Sequence, residues 1–502
     1  MRAFPERALR YNEIALTRFL PFLVLLLPLS AGDLSTRFDL AYNRLLNGGP
    51  PAFDAAFVLA DAAPLHTRRF TQFSGDVSGR YIGALAAASR VRGADIPWLN
   101  AVVDRLLPLQ KPDGHFGDPL SAGGTVTEGD MAIMWGNGRL LIGLMEYYRV
   151  KPRPDVLAVA RRMGDFLVGV APLYNSDAVR KEYNGEKFAV GYICWTQHVE
   201  GLVALWQATR DDRYLALARA LADRTDRHPS QHSHGYLTSL RGILDLYRAT
   251  GQRGYLEQVA RGWGSLLESG NVMIQGAVPE MFAPAIKRDE GCSEADWLRL
   301  SLDLWRETRE PKYLEQAQRT LFNEFAFNQF SNGDFGHHLL GANGIEPEFA
   351  HAWWCCTFHG LRAMAELFAT AFHEQDGALV YDIPIDGAGE IPGFAVRAVS
   401  SLERDATVRL TVVSRERTIG VAKLVGATNG YIRTPFLIEG ALQGAVASLL
   451  AVGLLAIVHL FAKRYLPGVL FLQGKAILGF VVFCALLGAL GSYGAMRRFL
   501  KV

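Results

Sequence analysis

The chain of 502 residues carries 52 Lys and Arg against 50 Asp and Glu, for a net charge of +2, and half of its residues are apolar. This near-neutral balance, with no basic stripe of interleaved aromatics, gives no footing for a nucleic-acid partner. Five cysteines, two of them adjacent, are too few and too unevenly placed for the disulfide framework of a small secreted domain.

Phe19 to Leu29 is an apolar stretch between Arg18 and Ser30-Ala31-Gly32. It has the length of a signal-peptide core and is short for a membrane span. Residues 1–32 are therefore read as a signal-like leader, with an apolar opening helix as the alternative.

From about residue 76 to 375 the apolar periodicity is helical. One unit recurs: an apolar helix, a polar turn, and a second helix that opens with Tyr-Leu. It reads LVALWQATRDDRYLALARALADR (202–224), LRGILDLYRATGQRGYLEQVARGW (240–263) and LRLSLDLWRETREPKYLEQAQRTLF (298–322), with a looser copy at 140–163. The turns hold Asp211-Asp212, Gly251 and Pro311, which are helix punctuation. Repeated helical hairpins must stack to bury their faces, as an open solenoid or a closed α/α toroid. Long insertions between the hairpins hold the unusual residues, which favours a toroid with a functional face over 33–375.

After residue 375, Ala378 to Ile383 and Phe394 to Val413 alternate in the manner of strands. Residues 376–413 read as the start of a β-domain that breaks off. Gly440–Ala462 and Ala476–Met496 are each free of charge and long enough to span a bilayer core of about 30 Å. They predict a transmembrane hairpin joined through Lys463, Arg464, Pro467 and Gly468, with the small residues Gly488 and Ser492 allowing close approach.

Two clusters could carry chemistry. Glu290-Gly-Cys292 opens one predicted helix. His351-Ala-Trp353-Trp354-Cys355-Cys356-Thr-Phe-His359 forms the other. Three thiolates and a carboxylate are a valid tetrahedral zinc set. Buried free cysteines are also common core fillers, so spacing leaves both readings open. Trp353 and Trp354 are equally open between sugar platforms and core.

Several stretches in order carry a resemblance: DGHFG (113–117), WTQHVEGLVALWQATRD (195–211), HGYLTSLRGILDLYRATG (234–251), PEMF (279–282), EGCSEADWLRLSLDLW (290–305), FNEFAFNQFSNGDFGHHL (322–339) and WWCCTFHG (353–360). Residues from about 75 to 400 resemble glycoside hydrolase family 127, the β-L-arabinofuranosidase family. The resemblance implies a mainly α protein, an (α/α)6 barrel followed by β-sandwich domains. It implies Zn2+ held by Glu290, Cys292, Cys355 and Cys356, with Cys355 as the nucleophile. It places the acid/base glutamate at Glu280, in an E-x-F stretch with Phe282, and matches His198 and His234 to histidines lining the sugar site. The ten positions from Glu280 to Glu290 are fewer than the family's pattern has. His232, His337, His338 and His359 are further candidates. The implied reaction is retaining hydrolysis of terminal L-arabinofuranosides from a glycan.

From about Thr407 the text changes. VRLTVVSRERTIGVAKLVGATNGYIRTPFLIEGALQG, the hairpin and MRRFLKV resemble the C-terminal end of the cell-division permease FtsX. That resemblance implies a coupling segment (414–439) that meets an FtsE-like ABC ATPase, followed by two spans and a basic tail (440–502) in the inner membrane and its lipid. Arg415, Arg417, Lys423 and Arg433 before the hairpin, and Arg497, Arg498 and Lys501 after it, place both ends in the cytoplasm by charge. An exported hydrolase domain requires the opposite entry side. The side of the catalytic domain stays open, and a fusion of two truncated proteins around 404–414 accounts for the conflict. Three readings follow: a membrane-tethered glycoside hydrolase, a permease fragment that partners an ATPase in cell division, or an inactive chimera of the two.

Overall fold

The computed structural model describes residues 32–499 apart from 64–67, 185–188, 229–230, 283–287, 339, 342–343, 346–350, 392–393, 415–428 and 465–469. The expected leader, and residues 415–428 of the expected coupling segment, thus lie outside the described residues. The chain forms two units. The first holds most of the chain up to Arg409, and the second holds the remainder from Leu410 with Glu374–Leu379 and Gly389–Arg397.

The first unit is built of paired helices: α1 (Asp33–Asn47), α2 (Asp76–Arg92), α3 (Pro97–Leu106), α4 (Glu128–Val150), α5 (Pro154–Tyr174), α6 (Val199–Thr209), α7 (Asp212–Ala222), α8 (Ser233–Thr250), α9 (Arg253–Glu268), α10 (Gly291–Thr308), α11 (Pro311–Thr320) and α12 (Trp354–Leu367). The even-numbered helices form an inner ring. Each packs on the next, and α12 returns to α2 to close the circle. The odd-numbered helices lie outside, α3 on α2, α5 on α4, α7 on α6, α9 on α8 and α11 on α10. The last outer place, against α12, is taken by α1 from the other end of the unit. This is the expected six-over-six toroid.

The sequence explains the layering. Inner helices are buried on every side: α10 has no exposed residue from Gly291 to Leu304, and α4 none from Asp130 to Tyr147. Such helices can only be core. Outer helices bury one stripe, as Tyr313, Gln316, Ala317 and Thr320 do on α11. Where α2 crosses α4 there is room only for glycine, since a Cβ on Gly79 would lie 2.4 Å from the Arg139 carbonyl oxygen.

The recurring turn has one construction. Arg210, Gly251 and Arg309 follow α6, α8 and α10 in the left-handed conformation, at φ of 57°, 70° and 57°. Before each stands a threonine, Thr209, Thr250 or Thr308, whose hydroxyl donates to the carbonyl four residues back at 2.7–2.8 Å. The same oxygen accepts the amide two residues on, at 3.2–3.3 Å. The helix is thus closed and the chain reversed before the next tyrosine enters the core.

Short strands follow α12: Phe372–Gln375, Ala378–Tyr381, Gly387–Ile391, Phe394–Ser401 and Thr407–Ser414. In the second unit, α13 (Asn429–Ala462) and α14 (Gly474–Phe499) contain Leu437–Ala462 and Gly474–Tyr493, with mean hydropathies of 2.4 and 2.1. Both are long and apolar enough to cross a membrane, and their apolar side chains face outward. They pack through glycines. A Cβ on Gly444 would lie 2.1 Å from the Cys484 carbonyl oxygen, and one on Gly488 2.1 Å from that of Gly440. Gly440 and Gly444, four apart on α13, complete the small-residue seam that Gly488 and Ser492 begin on α14.

Candidate active site and metal centre

At one end of the inner ring, the first turns of α8, α10 and α12 meet the second turn of α2. Glu290 is the N-cap of α10 and Cys292 stands in its first turn. Cys355 and Cys356 stand in the first turn of α12. Extended segments hold these helix starts together. Gly336–His337 pairs antiparallel with His351–Ala352, and the Trp353 amide donates to Phe335 at 2.8 Å just before α12 begins. The Asp289 amide donates to His338 at 3.1 Å just before α10 begins. Two isolated bridges, His232 with Met281 and Pro279 with Asp289, bring in the segment that carries Glu280.

One donor atom each from Glu290, Cys292, Cys355 and Cys356 lies within 4.8 Å of the others, and all four residues are buried. Cys292 Sγ is 3.6 Å from Cys356 Sγ, and Cys355 Sγ is 4.0 Å from Cys356 Sγ. A tetrahedral ion with Zn–S bonds near 2.3 Å puts its sulfurs about 3.8 Å apart. None of the three cysteines is in a disulfide. The donor set, spacing and burial fit a zinc ion.

Electrostatics agree. Burial pushes the Cys292 and Cys356 thiols well above their ordinary value. Against burial, hydrogen bonds from those two thiols and the Arg80 charge hold Cys355 well below it. Burial also pushes Glu290 up to about 7. With a cation, every donor could be anionic. Three helix N-termini add positive potential in the same direction.

The exposures differ in a useful way. Cys355 is 9% exposed, whereas Cys292 and Cys356 are at 0%. Glu280 is 8% exposed, and its carboxylate lies within 4.8 Å of donor atoms of Glu290 and His232. Its backbone is fixed on both sides, by Arg288 at 3.1 Å and Ser233 at 3.0 Å, and its Oε2 is paired with the Arg288 guanidinium.

The two histidines matched to sugar contacts sit deeper. His198 is at 0% exposure, with Nδ1 2.8 Å from the Trp195 carbonyl oxygen, and burial pushes it down to about 4. His234 is also at 0%, with Nδ1 2.6 Å from Asp296, and burial drives it well below its usual value. Asp296 meets His359 Nε2 at 3.0 Å on its other oxygen, so His234, Asp296 and His359 form a buried cluster. His232 stands nearer the sulfurs, with Nε2 3.6 Å from Glu290. Trp353 and Trp354 stack at 4.5 Å, with Phe70 and Phe57 on their edges.

Sequence reasoning missed two groups. Arg80 donates to Cys292 Sγ at 3.3 Å and is anchored on Asp76 at 2.7 Å. An arginine inside an apolar helix carries no motif. Asp289, Glu294 and Glu324 form a buried carboxylate cluster beside the centre. Burial, together with the Asp289 carboxylate, pushes Glu324 up to about 8. A π-turn at Leu321–Phe325 carries Glu324, and no residue pattern announces one. Asp289 and Glu294 flank the E-G-C triplet and could have been weighed with it.

Residues 406–502 match the FtsX-like permease C-terminal model. The cell division protein FtsX of Bacillus anthracis is 36% identical over 111 residues, covering 19% of this chain and 36% of that protein. FtsX of Streptococcus pneumoniae strain D39 is 36% identical over 107 residues, covering 19% and 35%. The chain thus spans about a third of the length of the curated relatives it matches. Among solved structures, a GH127 β-arabinofuranosidase superposes with a TM-score of 0.56 at 17% identity, over 75% of this chain and 65% of that one. A GH127 β-L-arabinofuranosidase from Geobacillus stearothermophilus T6 gives 0.56 at 15%, over 77% and 72%. These two likenesses establish the fold. The β-L-arabinofuranosidase GH127 catalytic-domain model matches residues 39–368, and over this larger part of its length the chain belongs to that family.

Proposed function

We propose that the chain is a membrane-associated, retaining glycoside hydrolase that releases terminal L-arabinofuranose from a glycan, with Cys355 as nucleophile and Glu280 as acid/base. The observation that carries this reading is the convergence of Glu290, Cys292, Cys355 and Cys356, in which Cys355, at 9% against 0% for the other two cysteines, is the residue nearest the surface. Bound zinc would supply charge that keeps the sulfurs anionic, and the four residues would hold it. Cys355 Sγ attacks the anomeric carbon as the C–O bond to the leaving group breaks. Glu280 protonates the departing oxygen, then takes a proton from the water that displaces the sulfur. Arg288, paired with Glu280 at rest, must yield for that carboxyl to carry a proton. His232 and His234 stand behind Glu290 and Asp296, where they orient the pocket, and His198 supports its wall. Residues 33–375 form the catalytic domain and 376–413 the remnant of a β-domain.

Membrane attachment rests on Leu437–Ala462 and Gly474–Tyr493. Their likeness to FtsX supports a second role for residues 414–502, the docking of an FtsE-like ABC ATPase. The test uses the full chain in detergent. Zinc near one per chain and hydrolysis of an aryl β-L-arabinofuranoside, both lost in Cys292→Ala, are the expected results. A zinc-loaded chain that turns over no aryl L-arabinofuranoside sinks the hydrolase reading. Co-purification of an FtsE-like ATPase with an otherwise inactive chain favours the permease role.

A further inference from the structure

Arg80 stands on α2 with its side chain only 4% exposed. Its Nε donates to Asp76 Oδ1 at 2.7 Å, and its Nη1 donates to Cys292 Sγ at 3.3 Å. Asp76 also accepts Trp135 Nε1 from α4 at 2.9 Å. The guanidinium is therefore a bridge from two inner helices to one sulfur, and moving it away would break its ion pair with the half-buried Asp76 carboxylate. The charges make it necessary. Three thiolates and the Glu290 carboxylate sum to −4, and a divalent cation leaves −2. Buried charge of this size needs a nearby counter-charge.

We infer that Arg80 is a positioning residue of the metal centre: its N–H bond to Cys292 fixes that sulfur as a spectator ligand and offsets the centre's negative charge, leaving Cys355 as the sulfur that reacts. This rests on the zinc–thiolate reading above. An N–H···S bond draws electron density from the sulfur it touches, so Cys292 becomes the weaker nucleophile of the set. Burial gives the same order by access, with Cys292 at 0% and Cys355 at 9% exposure.

The test compares the full chain with Arg80→Lys, Arg80→Met and the double variant Asp76→Asn/Arg80→Met, in which no carboxylate is left unpaired. Each is loaded with zinc, and separately with cobalt(II). In Arg80→Met and the double variant, zinc still binds near one per chain. Its release to a chelator quickens, and kcat/KM falls, each by about 10–100-fold, the usual cost of losing an outer-shell partner. The sulfur-to-cobalt charge-transfer band moves to longer wavelength, because the sulfur lone pair loses its hydrogen bond. Arg80→Lys restores part of the rate and part of the band position. An unshifted band with unchanged zinc release overturns the assignment. So does loss of fold in both the single and double Met variants, which would make Arg80 a core residue only. If the unsubstituted chain binds neither metal, the underlying zinc reading fails, whatever the variants do.

Discussion

Two buried polar regions of the helical unit invite comparison. Around Arg362 the charges alternate. Its guanidinium meets Glu200 at 2.8 Å and Glu146 at 3.0 Å, Arg241 meets Glu200 at 3.4 Å and Asp303 at 3.6 Å, and Arg299 meets Glu366 at 2.6 Å. Despite burial, Glu146 is held down to about 2 by Arg362, Arg149 and Arg90. Around Glu290 the donors are all potential anions, and Arg80 is the guanidinium seen to touch a sulfur. Both regions sit inside the same ring, so burial alone does not distinguish them. Compensation does. The first network pairs opposite charges across five inner helices, while the second gathers potential anions that a cation would balance. An uncompensated cluster at a helix-end face is where function is expected.

Four measurements break or sharpen that contrast. The largest effect is expected from Cys355→Ala, which should cut kcat/KM on an aryl L-arabinofuranoside by at least about 10³-fold while the fold persists by circular dichroism. Activity near the original level would move the nucleophile elsewhere. Arg362→Met leaves Glu146 and Glu200 without their shared partner and should lower stability by about 3–5 kcal/mol in urea unfolding, with zinc content unchanged. A change below about 1 kcal/mol would mean the network is not the brace described. Next is metal removal. A chelator should lower the unfolding free energy by about 2.7 kcal/mol relative to protein held at zinc a hundredfold above its Kd, reversibly on adding zinc back.

The smallest effect concerns pH. The Glu324 carboxyl is raised by burial from 4.5 to about 8, so the folded state favours its protonated form. That contribution is complete below pH 4.5 and is lost as pH rises through 8. Glu324→Gln should flatten the stability profile across this window, by about 1–3 kcal/mol, less than a lone group would give because the carboxylates share their proton. An unaltered slope would show that Glu324 is ionised in the folded chain.

Much of the fold was legible. The repeated helix pair with its Tyr-Leu entry announced α6 to α11, and a looser copy announced α4 and α5, because turn chemistry and apolar stripes are local properties. The closure of the ring was not, since α1 and α12 meet across the whole unit and neither belongs to a visible repeat. The proposed metal donors were legible as a list through the vicinal cysteines and the E-G-C triplet. What brings them together, the pairing of Gly336–His337 with His351–Ala352, is too short to leave a pattern. Arg80 and Glu324 were hidden for a different reason: a single polar residue in a helical stretch looks alike whether it faces solvent or a sulfur. Gly440 and Gly444 were read as part of an apolar run, and only the close approach to α14 shows why glycine stands there.

The seating of α1 against α12 has a consequence for synthesis. As the chain leaves the ribosome, helices α2 to α11 can stack in order and α1 can already meet α2, through Asp39 with Arg92 and the Leu45 carbonyl with Tyr81, but the seat of α1 against α12 stays empty until residues near Leu367 emerge. The same late helix delivers two of the three sulfurs. Assembly of the four-donor cluster is thus timed to the closing of the ring, and a nascent chain stalled before that point would present an open arc with one face of α1 uncovered.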